Sequence, residues 1–539
     1  MLDRLNALYP VRYTAMALAV LGMLLSLFTL VGFGVGGWAF LLFGGLSALG
    51  WWDLTQSQRS VLRNYPIIGH LRYMLEKVRP ELRQYFLESD TEATPFSRSQ
   101  RSLVYARAKG ETDKRPFGTQ LDVKADGYEW ITHSLVPTTL GTQDFRTTIG
   151  GPSCTQPYEA SIFNISAMSF GALSANAVQA LNAGAKRGGF AHDTGEGSIS
   201  AWHRVHGGDL IWEIGSGYFG CRTDDGLFSE ERFKANALDA QVKMIELKLS
   251  QGAKPGHGGM LPGAKVTAEI AAARGIPEGQ DCISPAAHSA FASPIELLQF
   301  IARLRELSGG KPTGFKLCIG HPWEWFAIAR AMLETGITPD FIVVDGGEGG
   351  TGAAPLEFTN HVGAPLQEGL HLVHNTLVGL NLRDRVKIGC AGKIISAFDI
   401  TRAMALGADW CNSARGFMFA LGCIQAQACH TGHCPTGVTT QDPVRQQALV
   451  VPDKATRVYS FHHQTLHALK ELVQAAGLQH PSEITPHYIV RRVNENEVRL
   501  LAKLMPGVAP GALLSGTEGL HDVYKLYWPR SRADSFALV

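Results

Sequence analysis

The chain has 539 residues, enough for about two to four domains. Its 49 lysines and arginines nearly balance 48 aspartates and glutamates, and the net charge of +1 gives no electrostatic case for a nucleic-acid partner. Charged residues make up only 18%, and the 59 glycines exceed the usual share of about 7%, which indicates a large core or membrane contact and many tight loops.

The first predicted element is an apolar stretch long enough to cross a bilayer. Residues 15–33 carry no charge, and a shorter apolar run follows from Trp38 to Trp52. Basic residues flank the two runs on both sides: Arg4, Arg12, Arg59 and Arg63. By the positive-inside rule both ends face the cytoplasm. We expect a transmembrane helical hairpin over residues 1–55, in the inner membrane with a cytoplasmic catalytic domain; a cleaved signal peptide is the alternative for the first run.

Residues 56–135 are predicted to form a juxtamembrane helical segment and a linker. From Arg59 to Arg83 the segment is amphipathic and basic. It lies either on anionic lipid, where each basic residue contributes about 1 kcal/mol, or in water as an ordinary solvated helix face. Residues 97–113 are polar and basic, which indicates the linker.

Beyond Ser161, short β-branched runs alternate with helical patterns. The predicted strands are Ile162–Ile165, Gly189–Asp193, Val242–Leu247, Cys282–Ser284, Gly314–Cys318, Phe341–Val344, Val386–Gly389 and Asp409–Asn412. Eight βα units over about 280 residues match a (β/α)8 TIM barrel, an α/β fold that we assign to residues 136–441. The region between Gly195 and Val242 is predicted to be a long insertion. Residues 442–539 are predicted to be a helical extension, with helices over 459–477 and 493–505.

Four unusual motifs lie at predicted strand ends, which form the active-site face of such a barrel. Ile165–Ser174 offers small residues whose backbone can approach a flat ring, and Asp193–Gly197 holds a carboxylate in a glycine turn. Lys248–Gly259 carries two lysines and one glutamine, and Gly346–Pro355 is rich enough in glycine to cradle a ring or a phosphate.

Three cysteines follow the barrel in the pattern C-x5-C-x4-C-P, namely Cys423, Cys429 and Cys434. Such spacing in a cysteine-poor cytosolic domain indicates a metal or cluster site rather than disulfides. Thiolates followed by proline are typical of iron–sulfur ligation, although the spacing differs from the common ferredoxin runs. Two alternatives remain open: zinc held by Cys429, His430, His433 and Cys434, or three unrelated buried thiols.

Together, the loop motifs and the cysteine run resemble the FMN-binding synthase domain of glutamate synthases, from Val136 to Gln441. The layout with its N-terminal hairpin resembles the membrane-anchored, stand-alone bacterial glutamate-synthase-related proteins. The resemblance implies an oxidoreductase acting on CH–NH2 donors, with FMN, a 3Fe–4S cluster and a 2-oxoglutarate site. It also implies that Cys423, Cys429 and Cys434 are the cluster ligands.

The resemblance also implies substrate-site residues. Gln251 and Lys254 match the family's GlnGlyAlaLys, and Arg274 matches an arginine that pairs with a substrate carboxylate. Glu196 matches the glutamate of a SerGlyGluGly turn and would act as a general acid–base. The implied catalytic residues are Glu196 and Lys254, and Gln251, Lys254, Arg274 and Ser169 would bind substrate. Lys254, Arg274 and Glu196 each have a structural alternative: an exposed lysine, an arginine at a helix end and a backbone-bound carboxylate, respectively.

The FMN phosphate is expected where the last two βα loops meet a helix N-terminus. Lys316 matches the family's ValLysLeu and is expected to face the flavin ring; as a buried barrel lysine it would otherwise need a carboxylate partner. The implied FMN-binding residues are Ala167, Met168, Ser169, Lys316, Gly349, Gly350, Thr351, Gly392, Lys393, Arg415 and Gly416.

Three loops depart from the family pattern: Gly256–Met260, Ser284–His288 and Cys390–Ser396. We recognise no N-terminal glutaminase, no C-terminal β-helix and no G-x-G-x-x-G nucleotide motif. Ammonia is therefore expected free or from a separate glutaminase subunit, and electrons from an external donor protein or reductase subunit.

Three hypotheses follow. The preferred one is FMN hydride transfer to 2-iminoglutarate, formed from 2-oxoglutarate and ammonia, giving L-glutamate. The second keeps the cofactors but acts on another 2-oxo or imino acid, with a quinone-linked donor. The third is a non-catalytic electron carrier or assembly subunit that retains the barrel.

Overall fold

The computed structural model of the chain describes residues 10–91 and 94–539. The chain divides into two compact units, Met1–Ala93 and Thr94–Val539. Arg4, which contributed to the predicted orientation of the N-terminus, lies outside the described residues.

The first unit contains a hairpin of two apolar helices, α1 (Thr14–Phe33) and α2 (Gly37–Thr55). Gly34 and Gly36 between them have φ angles of 69° and 94°, which glycine adopts without a Cβ penalty. The predicted pair of N-terminal helices is therefore present. Among the described helices, the stretch Val11–Phe33 is long and apolar enough to cross a membrane, judged by length and composition alone.

The first unit continues with Ser60–Asn64, α3 (Gly69–Leu82) and a π-helical turn at Arg83–Leu87. The side chain of Asp53 on α2 is fully buried. It accepts hydrogen bonds from Nε2 of His70 at 2.8 Å and from the backbone N–H of Ile67 at 2.9 Å. Through these hydrogen bonds the carboxylate connects the end of α2 to the start of α3.

The second unit is built on a closed barrel of eight parallel strands, as predicted. The strands are β1 (Phe163–Ile165), β2 (His192–Asp193), β3 (Leu210–Ile214), β4 (Val242–Lys248), β5 (Thr313–Leu317), β6 (Phe341–Asp345), β7 (Lys387–Ala391) and β8 (Trp410–Ser413). They neighbour one another in chain order, and β8 closes the ring by pairing with β1. The carboxyl ends of all eight strands therefore open on one face.

Helices surround this barrel and complete the unit. They are α4 (Arg98–Lys109), α5 (Ala175–Gly188), α6 (Glu230–Ala237), α7 (Pro294–Leu307), α8 (Pro322–Thr335), α9 (Leu366–Gly379), α10 (Ala397–Ala405), α11 (Arg415–Leu421) and α12 (Val451–Ala475). Shorter helices span Ala201–Arg204, Ala268–Arg274, Leu356–His361, Pro443–Gln446, Leu501–Leu504, Ala512–Ser515 and Asp522–Tyr527. Amphipathic helices of this kind bury their apolar face against the barrel strands.

Two strand predictions were wrong. The third barrel strand is Leu210–Ile214, inside the region predicted to be an insertion, and all five of its residues are buried. Cys282–Ile283 instead pairs antiparallel with Met260–Leu261 in a separate two-stranded sheet outside the barrel. Hydrophobic periodicity could not tell which of these two segments is the barrel strand. A strand buried on both sides shows no apolar–polar alternation, and a two-residue strand is too short to show any.

Residues outside the barrel also differ from prediction. The predicted linker at residues 97–113 contains α4, with a capping box at Ser97 and Gln100 and a buried Val104. The C-terminal extension is helical in α12 but holds a β-hairpin, Ile489–Asn494 with Glu497–Leu500, where a helix was predicted over residues 493–505. The first of these strands pairs with Glu129–Ile131.

Candidate functional site

The carboxylate of Glu196 lies at the active-site face, in the loop after β2. Its Oε2 lies 2.8 Å from the ammonium of Lys248 at the end of β4. Two glycines leave room for it, because a Cβ on Gly215 or Gly259 would come within 2.9 or 2.7 Å of its oxygens. The local sequence thus holds this carboxylate against a lysine with little free space around it.

Glu196 is surrounded by positive charge. Burial alone would raise its pKa, but Lys248, Arg274 and Lys254 outweigh burial and lower the pKa to about 2. An opposite charge at this distance favours the ionised form of a carboxyl group. Glu196 is therefore a carboxylate at physiological pH.

Lys248 belongs to a row of neighbouring acidic and lysine side chains inside the barrel. It also lies 3.6 Å from Oε1 of Glu213 on β3, which pairs in turn with Lys316 on β5. Lys316 lies 3.7 Å from Oε1 of Glu246 on β4. One oxygen of Asp193 lies within 4.8 Å of oxygens of Glu213 and Glu246. We call this row the charge ladder: Glu196, Lys248, Glu213, Lys316, Glu246 and Asp193.

Lys316 therefore has carboxylate partners, which is the structural alternative foreseen for it from the sequence. Its side chain is 4% exposed, and Glu213 and Glu246 are 2% and 0% exposed. A buried ammonium needs such partners to offset its loss of hydration. Whether Lys316 also faces a flavin ring stays a prediction.

Arg274 is buried and joins the same face of the barrel. Its Nη2 donates to the carbonyl oxygen of Phe170 at 3.2 Å, and its Nη1 lies 3.5 Å from Sγ of Cys282. Its guanidinium carbon lies 5.1 Å from the centre of the Phe219 ring. Its Nε is buried and has no hydrogen-bond partner among the described residues. The arginine is thus held near the loop that carries Glu196, and its Nε–H remains available as a hydrogen-bond donor.

Lys254 is 9% exposed, and no carboxylate of the described residues lies within 4.0 Å of its ammonium. Burial lowers the pKa of Lys254, and the charge of Glu196 partly offsets that effect. Lys254 is therefore buried, and the alternative of an exposed surface lysine is wrong. A buried lysine with no ion-pair partner can take an anionic or carbonyl ligand.

The other two residues expected at the substrate site lie on adjacent loops. Oγ of Ser169 accepts a hydrogen bond from the backbone N–H of Gly197 at 3.2 Å, which joins the loops after β1 and β2. Gln251 is half-buried, and the next residue, Gly252, donates its N–H to Asp345 at 2.9 Å. The loops after β1 and β2 therefore meet beside Glu196, and the loop after β4 contacts the end of β6.

A second group of loops forms what we call the anion cradle, made of Gly392, Lys393, Arg415 and Gly416. Gly392 and Lys393 have φ angles of 153° and 52°, and their backbone N–H groups have no acceptor among the described residues. Nη2 of Arg415 donates to the carbonyl oxygen of Thr351 at 2.7 Å, which joins the loops after β6 and β8. Unpaired N–H groups beside two cations suit an anion such as phosphate.

Glycines keep the loop after β6 close to this cradle. A Cβ on Gly350 would lie 3.0 Å from Nε of Arg415, and one on Gly349 would lie 3.1 Å from the carbonyl oxygen of Gly346. On the loop after β1, the strand that pairs with β8, Met168 is buried and Ala167 is half-buried. Apart from Lys316 on β5, the residues expected around a flavin therefore lie on four loops of one face, those after β1, β6, β7 and β8.

The cysteine loop begins directly after α11. The hydroxyl of Tyr105 on α4 donates to the carbonyl oxygen of Cys423 at 2.6 Å. Burial raises the pKa of the Cys423 thiol to about 11. Burial would also raise the pKa of Cys434, but hydrogen bonds from Thr436 and Thr439 lower it to about 7. These two thiols therefore differ in how readily they ionise.

The zinc alternative can be tested on the geometry. Tetrahedral zinc ligands lie about 4 Å from one another. Within residues 10–91 and 94–539, the one group of three potential ligands inside 4.8 Å is Asp193, Glu213 and Glu246. The structure therefore does not assemble a zinc site from Cys429, His430, His433 and Cys434.

Sequence reasoning missed Lys248, Glu213 and Glu246. A signal existed in β4, because Glu246 and Lys248 are two residues apart and so face the same side of a strand. Charged residues spaced in this way on a barrel strand point into the barrel or its mouth. Glu213 gave no such signal, since the strand that carries it was not predicted.

Comparisons with known proteins agree with the geometry. Residues 152–479 match the family described as the conserved region in glutamate synthase. A glutamate synthase large subunit-like protein, YerD, of Bacillus subtilis is 38% identical over 487 residues, covering 83% of this chain and 92% of the relative. The archaeal glutamate synthase (NADPH) of Methanocaldococcus jannaschii is 38% identical over 315 residues, 58% of each chain.

Solved structures show a more distant likeness. A flavocytochrome b2 variant with sulfite bound aligns with a TM-score of 0.40 and 11% identity, over 82% of this chain and 90% of the other. A mandelate oxidase variant aligns with a TM-score of 0.37 and 15% identity, over 80% of this chain and 99% of the other.

Proposed function

The chain belongs to the glutamate synthase family and is an oxidoreductase of that type, and on this premise we propose that it converts 2-oxoglutarate and ammonia to L-glutamate through 2-iminoglutarate. The observation that carries the proposal is the group formed by Arg274, Lys254 and Glu196. Two buried cations, neither with a carboxylate of the described residues within 4.0 Å, act electrostatically on a carboxylate that stays ionised. This arrangement suits a dicarboxylate substrate that must also exchange protons.

Arg274 and Lys254 would bind the substrate. Arginine pairs with a carboxylate through two parallel hydrogen bonds, and the unpartnered Nε of Arg274 leaves part of that capacity unused in the structure. Lys254 would bind the other end of the substrate or polarise the 2-oxo group, because its ammonium is a compact point charge. Gln251 and Ser169 would supply neutral hydrogen bonds from the adjacent loops.

Glu196 would act as the general acid–base. Imine formation requires a proton to leave the attacking ammonia and water to leave the carbinolamine. A carboxylate beside the 2-oxo carbon can accept the first proton and return it to the departing hydroxyl. Lys248 holds this carboxylate ionised and oriented, at 2.8 Å.

The anion cradle fits the phosphate of FMN. Its unpaired backbone N–H groups and the side chains of Lys393 and Arg415 provide donors and charge for a phosphate. The small residues after β1 would lie against the ring, as would Gly349, Gly350 and Thr351. FMN, when bound, supplies two-electron hydride chemistry, and an iron–sulfur cluster supplies single electrons to it.

The cysteine loop fits an iron–sulfur cluster better than a single zinc ion. Its donor set is three thiols, and the thiols of Cys429 and Cys434 both act electrostatically on Cys423, so the three lie near one another. They are not gathered within 4.8 Å, as ligands of one ion would be. We assign Cys423, Cys429 and Cys434 as ligands of a 3Fe–4S cluster.

The first unit is proposed to anchor the enzyme in the inner membrane, with the barrel in the cytoplasm. The helix over Val11–Phe33 supports this, as do the exposed apolar side chains of α1 and α2, among them Phe28 and Trp38. The electron donor would be an external protein, and ammonia would come from solution or a separate subunit. Membrane attachment is tested by fractionation: the full chain should sediment with membranes, and a chain lacking residues 10–55 should not.

The function is tested by substrate-driven flavin reoxidation. The full-length protein is purified anaerobically in detergent and reduced with dithionite, and 2-oxoglutarate and ammonium are added together or singly. We expect the flavin to be reoxidised rapidly, and glutamate to form, only when 2-oxoglutarate and ammonium are both present. Reoxidation by another 2-oxo acid, or by a quinone alone, would favour the second hypothesis.

A further inference from the structure

The far end of the charge ladder holds two carboxyl groups that cannot both be ionised at low cost. Asp193 and Glu246 are 1% and 0% exposed, and an oxygen of each lies within 4.8 Å of the other. Oδ2 of Asp193 and both oxygens of Glu246 are buried and accept no hydrogen bond from any described residue. Two carboxylates placed in this way repel each other, and a proton between them removes the repulsion.

The groups facing this pair do not supply enough positive charge to replace a proton. Lys316 faces it from β5, but its ammonium is already paired with Glu213 from β3. Asp345 on β6 acts on Lys316 and adds further negative charge. Burial raises the pKa of Glu246 well above its ordinary value, and burial with the charge of Glu213 raises that of Asp193 to about 7.

Each lysine of the ladder has two carboxylates within reach. Lys248 lies 2.8 Å from Glu196 and 3.6 Å from Glu213. Lys316 pairs with Glu213 and lies 3.7 Å from Glu246. When Glu246 is neutral, the ammonium of Lys316 remains ion-paired with Glu213. The ammonium of Lys248 is then free to pair with Glu196. With an ionised Glu246, Lys316 would be drawn away, and Glu213 would compete for Lys248.

We propose that Asp193 and Glu246 share a resident proton and that this proton, acting through the two lysines, keeps the ammonium of Lys248 on Glu196. Asp193 and Glu246 are positioning residues, because they act on the reacting groups through Lys316, Glu213 and Lys248. The second half of the proposal rests on the proposed function, since it assigns Glu196 to the substrate site. The resident proton does not depend on that function.

The proton is tested by infrared spectroscopy of the full-length protein at pH 8, where ordinary carboxyl groups are ionised. The wild type should show a carboxylic-acid C=O band that Glu246→Gln lacks. The amide of glutamine keeps the size and the neutral charge of the protonated acid, so this variant should fold. Glu231→Gln, at an exposed glutamate of α6, is the matched control and should keep the band. Identical spectra for the wild type and Glu246→Gln would overturn the proposal.

The coupling to Glu196 is tested by equilibrium dialysis of 2-oxoglutarate across the alkaline range. Over any pH range in which the wild type loses the acid band, its affinity should fall, whereas that of Glu246→Gln should stay level. If the wild type keeps the band throughout, both affinities should stay level. A decline shared equally by the two proteins would overturn the coupling. No 2-oxoglutarate binding at any pH would refute the proposed function, while the infrared result would still decide the proton.

Discussion

Oε2 of Glu196 and Nζ of Lys248 lie 2.8 Å apart, although the two residues come from different strands of the barrel and are separated by 52 positions (248 − 196). Glu196 follows β2, and Lys248 is the last residue of β4. The barrel brings them together because the carboxyl ends of its parallel strands share one face. This ion pair connects the proposed substrate site to the buried part of the charge ladder.

Removing Lys248 should make the enzyme sensitive to acid. The pKa of Glu196 is lowered to about 2, so its carboxylate is present above that pH and lost as the pH falls through it. In Lys248→Gln we expect the acid limb of the pH–rate profile to move up by about 1–3 pH units, the usual effect of a neighbouring opposite charge. Lys243→Gln, at a partly exposed lysine on the same strand, is the control. An unchanged acid limb would exclude Glu196 as the titrating group.

Arg274→Ala should weaken the binding of 2-oxoglutarate by more than about tenfold, because truncating one partner of a buried charge pair costs about 2–5 kcal/mol. Equilibrium dialysis measures the effect without turnover. Arg303→Ala removes an exposed arginine and should leave the affinity unchanged. An unaltered affinity in Arg274→Ala would leave this residue only its contacts with Phe170 and Cys282.

Cys429→Ser should abolish the iron–sulfur signal and leave bound FMN in place, since the anion cradle does not include the cysteine loop. Iron analysis, electron paramagnetic resonance and the flavin absorbance measure the two cofactors separately. Cys154→Ser, at a half-buried cysteine that contacts the carbonyl oxygen of Gly310, is the matched control. Full iron content in Cys429→Ser would contradict the ligand assignment.

Gly314→Ala should destabilise the barrel without touching the site. Gly314 lies on β5, where a Cβ would come within 2.1 Å of the backbone oxygen of Phe341 on β6. Overpacking of this kind costs about 1–3 kcal/mol, and here the obstacle is backbone, which cannot rotate away. Gly320→Ala has nothing within 4 Å of its new Cβ and should change the free energy of unfolding little. Equal stability of the two variants would contradict the close approach of the strands.

Much of the fold could be predicted from the sequence. The parallel barrel followed from alternating βα patterns, and most strands were placed within a few residues. Leu210–Ile214 was missed because it is buried along its whole length, so apolar alternation was absent, and this fully buried strand carries an acid, Glu213. That glutamate is tolerated because Lys316 and Lys248 neutralise it from other strands.

The candidate site residues could be predicted where they lie in loops with unusual sequence motifs. The charged residues that lie within the barrel strands could not be predicted. The environments of Glu196, Lys254 and Arg274 agree with roles suggested by motifs in loops, and those roles stay predictions. Lys248 and Glu246 lie in an ordinary apolar strand, and their importance depends on which strands become neighbours. Strand adjacency is set by the closed barrel and cannot be read from local sequence.

The most direct test of the central claim is the reoxidation of the dithionite-reduced enzyme by 2-oxoglutarate and ammonium under anaerobic conditions. The flavin absorbance should return only when both are present, and one L-glutamate should appear for every two electrons that the flavin and the cluster give up. A flavin that stays reduced with both compounds present would contradict the assignment of this site to glutamate synthesis.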